Sequence, residues 1–452
     1  MAGIRKDFTE GSIPKQLFAF MLPFMLSNAL QVLYSVVDMI IVGQFVGKSG
    51  LAAVAQGSQI VNFAVMFFMG FSQGGQTLIA QTLGAGKKER LNKEIGTLFT
   101  AIFLLGCVFT VILVLPREGI LTLINMPEEG FDMAMSYVLI CGGGLIFTAG
   151  YNCVSSVLRG MGDSKRPFIF ITISSVVNLI LDLLFTGAWG WGVPGAAAAT
   201  IIGQAVSFII SIIHLYKKRE AFGFDFKLSS FKMDRGYLAT ITKQGIPQAV
   251  QNAIVNISMV FVSAMVNSIG VTAAATFGVG IKIDDVCTRI SVGVQFATAP
   301  MIGQNYAAKK FDRVKKTVYW SWIFAGIYTA VFIAYYLPFG DTLFALFTSD
   351  ADVIAMSSQF RYAIFVEFIF LVIMRGTNGL LQGIGYANLS LILGIIDGVV
   401  LRIGLSWLLG IVLGWGFVGF VLGFALAPFG IAIPGLVYFI SGRWKTRKAL
   451  VD

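Results

Sequence analysis

Asp38 and Asp182 each sit inside an apolar run long enough to cross a bilayer. A charge at mid-span costs about 2.5–3.5 kcal/mol on insertion scales, so each needs a partner or a role. Asp182 follows Asn178 by four residues, which places both on one face of a helix. Gln31, Tyr34 or Ser35, and Asp38 follow at three- and four-residue steps on another polar face. Thr200 adds a hydroxyl in the next apolar run. Two carboxylates with amide and hydroxyl oxygens suit a hard cation such as Na⁺. They suit proton exchange equally well, and the residues leave both chemistries open.

Nine further charges lie within apolar runs of the second half: Lys282, Asp284, Asp285, Arg289, Arg361, Glu367, Arg375, Asp397 and Arg402. Lys282, Asp285 and Arg289 follow at three- and four-residue steps, so one stripe could neutralise itself. Arg361 is near enough to the end of its run to snorkel. Pairing that lines or latches a cavity accounts for such a set, and Glu367, Asp397 and Arg402 remain open to direct substrate or proton traffic. Asn252 and Asn256 share one face, suited to cavity lining or to hydrogen bonding between helices.

The elements that carry these residues are legible from composition. Of 452 residues 56% are hydrophobic and 12% charged, half the charge of a soluble domain. A water-facing surface and disorder are both excluded. Twelve apolar runs appear, at approximately 16–43, 52–80, 95–115, 134–158, 167–188, 194–215, 246–268, 273–303, 317–338, 355–381, 388–411 and 418–440. The first is too long for a signal peptide. The segments before run 1, after each even-numbered run and at the C-terminus hold 26 of the 33 basic residues. The opposite loops hold only Lys48 and Arg117, against seven acids. Both termini are therefore expected in the cytoplasm. The basic excess of ten is topological, and no nucleic-acid partner is expected.

The chain repeats itself at an offset of 223 to 224 residues. Leu22-Pro23 matches Ile246-Pro247, and Gly84–Lys93 matches Ala307–Lys316. Leu158–Gly162 matches Leu381–Gly385, and Gly190–Gly195 matches Gly414–Gly419. The expected fold is an all-α polytopic membrane protein of twelve transmembrane helices in two six-helix lobes. Residues 1–215 form the first lobe, 216–245 a cytoplasmic linker, and 246–452 the second lobe with a basic tail. Six spans per copy give both copies one orientation, as in repeats related by an axis along the membrane normal.

Depth and the repeat both single out the first polar set. At about 1.5 Å per residue, Asp38, Asp182 and Thr200 come to lie roughly 8–10 Å below the outer surface, with Asn178 one turn deeper. The offset places Asn178 on Leu401, Asp182 on Leu405, Thr200 on Phe424, and Asp38 on Phe261 or Val262. If the fold alone required these polar groups, the second copy would need them too.

Other motifs fail. Gly43–Ser49 has three residues between its glycines where a phosphate loop needs four. The glycines of Arg159–Asp163 suit a helix end. Four cysteines lie in apolar runs without metal or disulfide spacing, and His214 is the single histidine. No nucleophile–base arrangement is visible, and the chain is not expected to be an enzyme.

The chain resembles the multidrug and toxic compound extrusion (MATE) family, prokaryotic branch, over nearly its whole length. The resemblance rests on Pro23 followed by Val37-Asp38, the Gly84–Arg90 loop, the Leu158–Pro167 segment, and Asn178-x-x-x-Asp182 with Thr200 eighteen residues on. It implies a cation site of Asp38, Asn178, Asp182 and Thr200, with the Ala196 carbonyl as an extra ligand. It implies Gln31 and Tyr34 as cavity-lining positions. Asn152, Asn252, Asn256, Glu367, Arg375, Asp397 and Arg402 complete the expected substrate cavity. Run 7 (246–268) contains no acid, unlike some members, which favours coupling through the first lobe. The implied activity is alternating-access efflux of cationic, amphipathic drugs in exchange for Na⁺ or H⁺. No cofactor is implied beyond that transported ion. The implied setting is a plasma-membrane monomer among lipids. A lipid-linked saccharide flippase of the same superfamily is the alternative, kept open by Arg375 and Arg402.

Overall fold

The computed structural model describes residues 6–452, and among these it is helical with no strand. The first half contains α1 Ile13–Phe45, α2 Lys48–Gly84, α3 Leu91–Val114, the short α4 Arg117–Leu123, α5 Glu128–Gly143, α6 Leu145–Gly160, α7 Lys165–Asp182 and α8 Gly192–Lys217. After the short α9 Arg219–Phe222 come α10 Arg235–Asn267, α11 Val271–Ala307, α12 Phe311–Ala345 and α13 Ala351–Gly383. The chain ends with α14 Ala387–Ile395, the short α15 Gly404–Trp407, α16 Gly416–Leu426 and α17 Phe429–Ile440.

These helices account for all twelve apolar runs. Run 4 is broken: α5 and α6 meet at Gly144 with a bend of 44°. Ten described helices are long and apolar enough to cross a membrane, and eleven if the bent pair counts as one. The remaining run, α11, carries Lys282, Asp284, Asp285 and Arg289. Runs 5 and 11 are not uniform α-helix. α7 continues as π-helix over Leu183–Ala188, and α14 as π-helix over Ile396–Ile403, with a second π segment at Leu408–Val412. The connections α1–α2 and α10–α11 turn at Gly47 (φ 85°) and Gly270 (φ 146°), 223 residues apart. Only glycine adopts these angles without strain.

The described chain divides into two compact units, one of Leu26–Ala249 and one of Phe8–Met25 with Val250–Asp452. The division differs from the sequence-based lobes because it passes through α1 and α10 instead of falling at 216–245. The breaks after Met25 and Ala249 are 224 residues apart, so they are equivalent in the repeat, and each lies two residues beyond a helix-interior proline, Pro23 or Pro247. Proline removes one helical hydrogen bond there.

In the first unit the core gathers Val42, Val54, Leu121, Tyr137, Cys141 and Ala196. The segment after α8 is strapped to α3. Thr100 Oγ1 donates to Phe231 O (2.6 Å), and Asp234 N donates to Thr97 Oγ1 (3.1 Å). Phe224 stacks on Phe99 at 5.8 Å. Ser230 Oγ donates to the exposed Asp225 carboxylate at 2.6 Å, which holds that carboxyl below its ordinary pKa. A Cβ on Gly96 would lie 1.7 Å from Ser230 O. Gly96→Ala is therefore expected to destabilise the protein by about 1–3 kcal/mol, the usual range for overpacking. A thermal melt of the purified variant checks this; an unchanged midpoint would show that the strap can move aside.

In the second unit Val262, Phe277, Cys287, Tyr336, Phe368 and Phe424 pack together. Residues 8–11, just before α1, are held there by Arg313, whose guanidinium donates to the carbonyls of Phe8, Glu10 and Gly11.

Candidate functional site

In the first unit, Tyr34 and Asp38 lie one turn apart on α1, Asn178 and Asp182 one turn apart on α7, and Thr200 on α8. Small residues allow α7 and α8 to approach. A Cβ on Gly203 would be 3.1 Å from both Asn178 Cβ and Ser174 O, and one on Gly195 3.0 Å from Phe185 backbone. The approach lets Asn178 Nδ2 donate to Thr200 Oγ1 at 3.5 Å. Tyr34 Oη and Thr200 Oγ1 share a second hydrogen bond at 3.3 Å. Ala196 is buried one turn before Thr200. Asp38 and Asp182 are close enough to interact directly.

Four oxygens are left over. Asp38 Oδ1, both Asp182 carboxylate oxygens and Asn178 Oδ1 are buried without a hydrogen-bond partner. Ionised carboxylates only accept, and burying them unpaired is costly. A bound cation or added protons would satisfy these acceptors. Among the described residues no group of three or more His, Cys, Asp or Glu could hold a metal. A hard cation here would rest on two carboxylates plus neutral oxygens. Tyr137 and Cys141, one turn apart on α5, border the same site within electrostatic range of Asp38. Sequence reasoning missed both because each reads as an ordinary core residue.

Thr200→Val removes the hydroxyl that accepts from Asn178 and shares a hydrogen bond with Tyr34, while keeping the shape and both carboxylates. We expect weaker cation or proton binding at this site, a smaller change than for either aspartate, read as a shifted ion titration of the purified protein. A wild-type titration would place Thr200 outside the site.

The other expected residues divide. Gln31 is exposed on α1. Asn152 Nδ2 donates to Thr148 O of its own helix (2.8 Å). Asn256 is exposed and donates to Asn252 O (2.8 Å), and Asn252 is half-buried. Lys282 and Arg289 are exposed, and Arg289 pairs with Asp285 at 3.2 Å, so that stripe neutralises itself in part. Arg361 does not snorkel freely; it is buried and donates to Asp341 (2.7 Å) and to Leu337 O (3.1 Å).

Glu367, Arg375, Asp397 and Arg402 come together in the second unit, and Asp284 joins them. Arg375 donates to Ser291 Oγ (2.9 Å), Thr288 O (3.0 Å) and Gln295 Oε1 (3.4 Å). Arg402 meets Asp397 at 3.4 Å and lies 4.4 Å from the Phe424 ring centroid. Asp397 and Arg402 are five residues apart, a spacing that faces away in an α-helix and stacks in a π-helix.

That π segment also corrects the repeat register. A π turn takes up an extra residue, and the offset is 223 at Leu381–Gly385, just before Ile396–Ile403, and 224 at Gly414–Gly419, just beyond it. Asn178 and Asp182 then correspond to Arg402 and Ser406, not to Leu401 and Leu405. Contacts agree: Arg402 lies on Phe424 where Asn178 meets Thr200, and Gly419 abuts Leu409 where Gly195 abuts Phe185. The second copy replaces the site with arginine, serine and phenylalanine, so it still lacks the carboxylates.

A chain of membrane-crossing helices in two repeats, with a buried carboxylate pair in the first, is a multi-pass membrane protein built on the fold of repeat transporters. It belongs to the MatE family, whose pattern matches residues 23–184 and again 247–408. A probable multidrug resistance protein, YpnP of Bacillus subtilis, is 30% identical over 450 residues, covering 99% of each chain. The probable multidrug resistance protein NorM of Thermotoga maritima is 24% identical over 97% of this chain and 94% of its own. The fold matches an outward-facing multidrug resistance MATE family transporter of the MOP superfamily with TM-score 0.93, at 22% identity over 99% of both chains.

Proposed function

We propose that this protein is a secondary active antiporter that exports amphipathic, often cationic organic compounds in exchange for inward Na⁺ or H⁺. The observation that carries the reading is the Asp38/Asp182 pair, with buried acceptor oxygens that no protein group satisfies. Coupling requires that ion and drug prefer different states of one two-state element. Asp38, Asn178, Asp182 and Thr200 bind the ion in the state that drug disfavours. Relatives named as multidrug resistance proteins support the substrate class. The protein works in the plasma membrane as a monomer, with both termini cytoplasmic, among lipids, without nucleic acid, cofactor or enzymatic step. The saccharide flippase reading is weaker, because Arg375 and Arg402 are already engaged by protein acceptors.

The test is efflux of a cationic dye from proteoliposomes with a sodium gradient or a proton gradient imposed alone. One gradient is expected to drive uphill export and the other not. Export under neither gradient overturns the antiport reading, and dissipation of the gradient without dye identifies a channel instead.

A further inference from the structure

We propose that the first unit carries a phospholipid site where α7 begins and α8 ends, in which Arg166, His214 and Lys218 hold the headgroup phosphate of an anionic glycerophospholipid. The site is remote from the carboxylate pair: Arg166 and Asp182 stand near opposite ends of α7, about 24 Å apart at 1.5 Å per residue. It does not depend on which ion or compound the protein moves.

The His214 ring lies 5.8 Å from that of Phe170 on α7 and 6.1 Å from that of Phe222 on α9. Arg166, Asp163 and Lys218 are all within electrostatic range of it. His214 Nε2 is buried without a hydrogen-bond partner. Arg166 gives one guanidinium nitrogen to Asp163, and its fork has further N–H groups to offer. Lys218 is exposed and, among the described residues, forms no ion pair. Residues 163–166 and 214–220 hold Lys165, Arg166, Lys217, Lys218 and Arg219 against Asp163 and Glu220, so positive charge is in excess. An apolar surface continues from this patch. On α7, Ile169, Ile173 and Val176 follow Arg166 at three- and four-residue steps and are exposed. On α8, Ile209, Ile213 and Tyr216 do the same, and Arg219 covers the Tyr216 ring at 5.0 Å.

A phosphodiester matches both halves of this surface. Its oxygens only accept, its charge is negative, and charge-assisted bonds from arginine and lysine are the strong ones. The imidazole adds a donor between them. The acyl chains then cover the exposed isoleucines, which a soluble phosphate would leave bare. Independent snorkelling of each base into bulk lipid does not account for the patch, because the second repeat lacks it. Lys165 and Arg166 correspond to Asn388 and Leu389, and His214, Lys217 and Lys218 to Tyr438, Ser441 and Gly442. Arg219 keeps a basic counterpart in Arg443. Contacts support the register: His214 faces Asp163 in the first unit, and their counterparts Tyr438 and Tyr386 pack at 5.6 Å in the second. Neither the fold nor a place at the membrane face demands the bases of the first unit.

The chain has one histidine, so isotope-labelled histidine reports on this place alone. The test records the imidazole resonances of the full-length protein in phosphatidylcholine nanodiscs as the fraction of phosphatidylglycerol is raised. The resonances should shift and saturate. Lys218→Gln and Arg166→Gln should each raise the half-saturating fraction about fivefold, the worth of one basic residue at an anionic membrane surface. Lys88→Gln, which removes an exposed base from the same membrane face, should leave it unchanged. Lys218 is exposed, so its variant keeps the test decisive even where loss of the Asp163 pair unfolds Arg166→Gln. The inference is overturned if no shift occurs, if the shift never saturates, or if Lys88→Gln weakens it as much as Lys218→Gln. It is also overturned if inorganic phosphate gives the same shift in pure phosphatidylcholine, because the ligand is then a soluble anion. No drug or ion gradient is present, so failure of the antiport reading in proteoliposomes would leave this result intact.

Discussion

Replacing Asp182 with asparagine is expected to abolish ion-driven efflux while the protein stays folded in the membrane. The carboxylate has both oxygens buried and unsatisfied, so it contributes nothing to the fold that an amide cannot. Asparagine keeps the volume, removes a buried charge and can donate to Asp38. The stability should hold or rise. What is lost is the differential affinity of two states for the ion, and coupling free energies of this kind correspond to roughly 5–150-fold in affinity. Uphill dye export in proteoliposomes should therefore fall to background, and Asp38→Asn should behave alike. Wild-type efflux by either variant, at equal protein in the vesicle, would remove both residues from the mechanism.

The second large effect falls on stability. Arg402→Leu leaves Asp397 buried without its guanidinium, and removing one partner of a buried pair typically costs about 3–5 kcal/mol. The leucine retains contact with Phe424, so the loss is electrostatic more than steric. Adding Asp397→Leu should recover most of the stability, because the double variant restores the charge difference of the original cluster. Thermal melts of the two single variants and the double form the cycle. Equal, additive losses would mean that the Asp397–Arg402 contact at 3.4 Å carries no coupling and that each residue is held by something else.

How much of the candidate site was legible in advance differs between the two units. In the first, four-residue steps on regular helix, Tyr34 to Asp38 and Asn178 to Asp182, place side chains on one face by geometry alone. The structure brings these residues to Thr200 as spacing and depth suggested. Tyr137 and Cys141 were not legible, because an aromatic and a thiol in an apolar run carry no signal of what they border. In the second unit, spacing was silent on the buried cluster. Asp397 and Arg402 meet only because the backbone widens to a π turn at Ile396–Ile403. Asp284 and Asp285 are adjacent in sequence, yet one is buried in the cluster and the other pairs with Arg289 at the surface.

By itself the sequence determined the helical class, the twelve runs, the repeat and the first-unit polar set. Each of these rests on local composition or on a period of one helical turn, which are properties of the chain before it folds. Tertiary structure decided where the chain divides, since the contacts of α1 and α10 change beyond Pro23 and Pro247. It decided the register of the repeat, shifted by one residue where the second copy widens. It also decided which buried charges meet, because α11, α13 and the π segment after α14 are more than 80 residues apart in places and their pairing is written in no local pattern.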